Sequence, residues 1–160
     1  MGAERRRGRG DIDRGLRLSA VVFAVGFGIH GLDHLRRGMS ASPTAIMIGG
    51  NVQAVLVAIV VIMALARRRR VPEAAIAIGI GSAVVFTYAH LLPTFWPRYQ
   101  DSFITPPHLN VTWFSWLSAI TEIGTGLVFA AVGIQAIRCA TRGEVPSSRS
   151  GVSMNSELTR

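Results

Sequence analysis

From Ile46 to Ala66 the chain reads IMIGGNVQAVLVAIVVIMALA, with no charged side chain anywhere in it. A run of this length matches a bilayer core of roughly 30 Å, which takes about 20 helical residues to cross. Helices of soluble bundles also carry long apolar stripes, but they set charged residues on the opposite face. This run has no such face, so it reads as a transmembrane helix. Three further stretches are long enough to do the same. They lie at about 18–36, 72–92 and 111–137, beside about 45–66 for the run itself. The first is the most polar, and the last is long enough to tilt or to project beyond the core. No internal repeat of 20–50 residues is evident. Four helices joined by short connections predict an all-α integral membrane protein, an antiparallel up-down four-helix bundle over 18–138.

Composition supports this class. Charged residues make up 16% of the chain and hydrophobic ones 49%, whereas an ordinary soluble domain is about 25% charged. All seventeen basic residues are arginine, and the net charge is +8. Nucleic-acid binding requires a basic face on a soluble fold. Here the arginines sit in short clusters between apolar runs, so the partner expected is the lipid bilayer and not nucleic acid. The one cysteine, Cys139, makes no internal disulfide and no C-x-x-C pair.

The clusters also orient the bundle. Arg5, Arg6, Arg7, Arg9, Arg14 and Arg17 precede the first span, Arg67 to Arg70 join the second to the third, and Arg138, Arg142, Arg149 and Arg160 end the chain. Only Arg36, Arg37 and Arg98 fall on the other side. Arginine marks the cytoplasmic side, so both termini are expected there, in the cell membrane. The first span lacks an A-x-A-like cleavage site and continues into His30 and Asp33, so it is read as a retained helix, not a signal peptide. Arg6 stands where a myristoylation motif wants Ser or Thr. The polar segments 1–17 and 139–160 are too poor in large apolar groups to offset their ordering entropy and are expected to be disordered. The arginines of the first would attract anionic lipid.

This orientation gathers the polar residues of the spans. GIHGLDHLRRG, Gly28 to Gly38, ends the first helix on the outer side, with His30 about 9–12 Å below the helix end. His30 and His34 are four apart and share a face, while Asp33 lies about 60° to the other side of His30. The third helix brings His90 to the same side, the second brings Asn51 and Gln53, and His108 and Asn110 begin the fourth. Tyr88 lies about 200° from His90 on an α-helix and faces lipid if His90 faces inward. Glu122 lies inside the fourth span, about 17 Å from Val111. It must find a partner or a proton there, with Thr121 and Thr125 the nearest hydroxyls.

Neutral imidazoles with a carboxylate suit zinc, iron or copper. The candidate metal ligands are therefore His30, His34, His90, Asp33 and Glu122, and a b-type haem between the first helix and His90 is a variant. Four histidines are too few for a membrane di-iron enzyme. The alternative is a non-catalytic ligand-binding or proton-linked transport module, or an accessory subunit without metal. Solvated helix-end polarity also accounts for His34, Asp33 and His108. Trp113 and Trp116 read as interfacial or packing residues. The small residues Ala75, Gly79 and Ala83 read as a close-packing face, one that a homo-oligomer could also use. No P-loop, G-x-S-x-G or G-x-G-x-x-G unit of soluble enzymes is present.

Overall fold

The computed structural model describes residues 2–38 and 40–143. Four long helices account for most of them: α1 Gly2–Arg37, α2 Thr44–Leu65, α3 Val71–Phe86 and α4 Trp113–Gly143. A π-helical turn over Thr87–Leu91 extends α3, and a 3-10 turn over Pro97–Tyr99 lies in the connection to α4. There is no strand among the described residues. Gly10–Arg37, Thr44–Leu65, Val71–Leu91 and Trp113–Thr141 are long and apolar enough to cross a membrane.

α4 packs antiparallel to both α1 and α3. Along α1, Phe23 stacks on Phe129 with ring centroids 5.8 Å apart. Further up, His30 reaches Ser118 and Arg36 reaches Ser115. Along α3, Gly133 of α4 lies against Pro72 and Ala75, and Gly126 lies against Gly79. A Cβ on Gly79 would collide with the Gly126 carbonyl and come within 3.0 Å of Ala130. Helices in lipid gain little from hiding apolar surface from water, so close van der Waals approach of this kind holds them together. Ala75 and Gly79 are thus buried against α4, and Ala83 is buried too.

The core is a narrow seam: Leu16, Ala20 and Phe23 of α1, Val57, Val60 and Ala64 of α2, Val71 and Ala75 of α3, Phe129 and Ala136 of α4. Outside it, α2 leaves Ile48, Val52, Val55, Ile59 and Ile62 exposed along its length. So long an apolar surface suits a hydrocarbon environment and not water.

Both terminal helices overrun the expected spans. α1 includes residues well before 18, where the segment 1–17 was expected to be disordered, because Leu16 is buried in the seam and Ile12 packs against it. Arg17 adds a bond from Nε to the Asp13 carbonyl. α4 runs to Gly143 rather than stopping near 137. The rest of the polar tail, 144–160, lies outside the described residues.

Candidate metal centre

His30 and His34 sit on one face of α1, one turn apart, as their spacing requires. His90 comes from the π-helical turn that ends α3. That turn is wider than an α-helical one, and it buries Phe86 and His90 together, ring centroids 5.8 Å apart. The three imidazoles pack on one another, with centroids 4.8 Å apart for His30–His34 and His30–His90 and 5.5 Å for His34–His90. One nitrogen from each ring lies within 4.8 Å of the others, so the group could hold a metal ion. His30 and His90 are buried and His34 is half-buried. Phe86 packs edge-on against His30 at 5.0 Å and Phe103 lies against His90 at 4.7 Å, so aromatic rings wall the group.

The hydrogen bonds around the rings assign their protons. The His90 Nδ1 lies 3.0 Å from the Asp101 carbonyl oxygen, which only accepts, so Nδ1 carries the proton. Ser42 donates its hydroxyl to the Asp101 carboxylate at 2.6 Å. Having given its one proton there, Ser42 accepts from His34 Nδ1 at 3.1 Å. Ser118 donates to the Ser115 carbonyl at 2.9 Å and so accepts from His30 Nδ1 at 3.3 Å. A neutral imidazole protonated on Nδ1 has its lone pair on Nε2. All three rings are therefore held in the same tautomer. The Nε2 atoms of His30 and His34 stand 3.1 Å apart, and each brings a lone pair. Two imidazole nitrogens on one tetrahedral zinc, each at about 2.0–2.1 Å, are themselves about 3.4 Å apart.

Behind the rings lies a second layer of polar residues. Arg37, with a fully buried side chain, meets Asp101 through two bonds of 2.6 and 2.8 Å and donates to the Leu109 carbonyl. Its guanidinium lies 5.3 Å from the Phe103 ring centre. The residues flanking Asp101 are pinned to the end of α3. Asp101 N–H bonds the Ala89 carbonyl, Phe103 N–H bonds the His90 carbonyl, and Gln100 bonds the Tyr88 and Pro93 carbonyls. Burial pushes the Asp101 carboxyl up, but the bonds from Arg37 and Ser42 outweigh it and hold the group below the usual carboxylate range.

Of the five residues expected as ligands, the structure brings together His30, His34 and His90. Asp33 is buried on another side of α1, where Arg36 binds its Oδ1 at 2.8 Å. Arg36 also ties that carboxylate to the Asn110 carbonyl and to Ser115. Glu122 is wholly buried and takes the Ser82 hydroxyl on Oε1 at 3.1 Å. Thr125, expected to serve it, bonds backbone carbonyls instead. His108 is exposed, Asn51 is exposed with its amide on the Met47 carbonyl, and Gln53 is half-buried.

Ser42, Ser118, Asp101 and Arg37 play parts that helical spacing did not assign. One signal was available: Asp101 is the single acidic residue between 93 and 112, on the side that carries only Arg36, Arg37 and Arg98. No family model, curated protein or solved structure matches the chain.

Proposed function

We propose that this is a small multi-pass protein of the cell membrane, with both termini cytoplasmic, that holds one metal ion on the Nε2 atoms of His30, His34 and His90 near its extracytoplasmic side. Fourteen arginines on one side against three on the other support the orientation. The observation that carries the metal reading is the shared tautomer. Ser118, Ser42 and the Asp101 carbonyl take the three Nδ1 protons, which leaves the three Nε2 lone pairs for an ion, those of His30 and His34 standing 3.1 Å apart. Such hydrogen bonds from the outer nitrogen fix ring orientation and raise ligand basicity in metal sites. Asp33 and Glu122 act outside the coordination shell in this reading. The rings pack directly on each other and leave no slot for a porphyrin, which favours a single ion over haem.

A second reading also has an observation behind it. At 3.1 Å the two Nε2 atoms are within hydrogen-bond distance, so a single added proton shared between His30 and His34 would satisfy both. That would make the group a proton-binding site of the kind a proton-linked module needs.

Elemental analysis of detergent-purified protein without a polyhistidine tag separates the two. The metal reading predicts about one transition-metal ion per chain. His30→Gln, His34→Gln and His90→Gln each lose it, and Tyr88→Phe retains it. Metal-free wild-type protein, after growth in metal-replete medium and reloading, removes the metal reading and leaves the shared proton.

A further inference from the structure

Resting on the metal reading above, the charge around the three histidines bears on which ion they take. We propose that the site is built for a monovalent, nitrogen-binding metal ion, the cuprous ion or its chemical stand-in silver(I), and not for a divalent one.

The group is made of neutral ligands only: it contains no cysteine and no carboxylate. Both acidic side chains near it already pair with an arginine, with Asp33 Oδ2 alone left buried and without a partner. Asp101 is held bidentately by Arg37, and Asp33 by two nitrogens of Arg36. Glu122, the next carboxyl along α4, bonds Ser82 on α3 and sits a helical turn deeper than Ser118. An ion entering the group thus brings charge that nothing in the first layer cancels. Phe86 and Phe103 wall the rings, and His30 and His90 are nearly sealed from solvent, at 3% and 1% exposed. Beside two rings this buried, the charging cost of an ion grows as the square of its charge, about fourfold from a monocation to a dication of similar size.

The outer bonds point the same way. A carboxylate on the far nitrogen of a ligating histidine makes the ring more basic and feeds charge toward a dication. Here the far nitrogens go to two hydroxyls and a backbone carbonyl. Ligand number agrees as well. Closed zinc sites take four protein ligands and open ones complete three with a water; this group supplies three, with His30 and His90 shut off from solvent that could provide the fourth. Three imidazoles suffice for a d10 monocation, which tolerates three-coordination.

The test uses the tag-free chain in detergent, in buffer free of chloride, thiols and other reductants. A Cys139→Ser background removes the exposed thiol, which would itself capture silver. Silver(I) and zinc(II) are titrated separately and in competition, and bound metal is counted after desalting. The proposal predicts one silver ion per chain, retained against about a tenfold excess of zinc and lost in His30→Gln, with helicity and elution volume checked in each variant. Ser118→Asp puts a carboxylate behind His30 and should move the silver-to-zinc preference toward zinc by about tenfold or more, a shift that mere loss of packing does not produce. Zinc that binds at least as tightly as silver, or a Ser118→Asp preference that does not move, overturns the monovalent assignment while leaving a metal centre in place. Failure of both ions to bind overturns this inference together with the metal reading beneath it.

Discussion

The Nε2 atoms of His30 and His34 lie 3.1 Å apart, and neither neutral ring has a proton to offer the other. Their Nδ1 protons are committed to Ser118 and Ser42, whose own hydroxyl protons go to the Ser115 carbonyl and the Asp101 carboxylate. This close approach of two ring nitrogens is the geometry on which the proposed site rests, since either a metal ion or a shared proton between them would satisfy both.

Ser42 is the hinge of this bookkeeping, because it links the Asp101 carboxylate to His34. Ser42→Ala removes the acceptor that fixes the His34 tautomer but leaves all three rings in place. Metal affinity should fall by about 10–100-fold while the helical content stays unchanged. Competition against a chromophoric chelator reads the change, and an affinity equal to that of wild type would show that the outer hydrogen bond does not matter.

Arg37 and Asp101 form a buried pair, with side chains 0% and 6% exposed. Arg37→Met strands the carboxylate and should cost about 3–5 kcal/mol of stability near neutral pH, with partial recovery in Arg37→Met/Asp101→Asn. The pH dependence has a definite sign. In the wild type the Asp101 carboxyl is held below its ordinary value of 3.8. The stabilisation is therefore complete above that value and is lost as the pH falls through the lower folded value. In Arg37→Met, burial is left to push the group up, so acidification relieves the variant. The stability gap between the two proteins should be widest above about pH 5 and narrow below about pH 4. Thermal unfolding across that range checks both arms.

The contact between α3 and α4 gives a paired comparison. Gly79 has no room for a Cβ beside Gly126 and Ala130, whereas Gly81, half a turn on, faces open space. Gly79→Ala should lower stability by about 1–3 kcal/mol, and Gly81→Ala should leave it unchanged or raise it by up to about 1 kcal/mol. Unfolding in detergent measures both, and equal effects would contradict the packing described.

Orientation is open to thiol labelling in intact cells. Cys139 is exposed near the end of α4 and should react with a membrane-impermeant maleimide only after the cells are opened. His108→Cys, in a Cys139→Ser background, should react without opening them. The reverse pattern would place the histidine group on the cytoplasmic side.

The sequence made much of this legible, and the physical reason for what it missed is consistent. Apolar runs of bilayer length marked all four helices, and the four-residue spacing of His30 and His34 put their rings on one face. His90 was legible as an inward residue if Tyr88 faces outward, though the π-helical turn changes the angles along Thr87–Leu91, where Tyr88 is half-buried. Asp33 was grouped with the histidines although helical geometry sets it aside, and its i, i+3 partner Arg36 claims it. Glu122 was legible as a buried acid in need of a partner, but the partner, Ser82, lies on another helix whose rotation the sequence leaves open. Ser42 and Asp101 belong to irregular connections. No periodicity encodes the path of such segments, so their role emerges only once the connection between α3 and α4 is seen folded back over the rings.

The most direct measurement is X-ray absorption at the metal edge of the loaded, tag-free protein. A metal ion held by the three histidines gives three nitrogens at about 2.0 Å, together with the more distant scattering of imidazole rings and loss of one ring's contribution in His90→Gln. A shell built from oxygen or sulfur, or one that His90→Gln leaves intact, would contradict it.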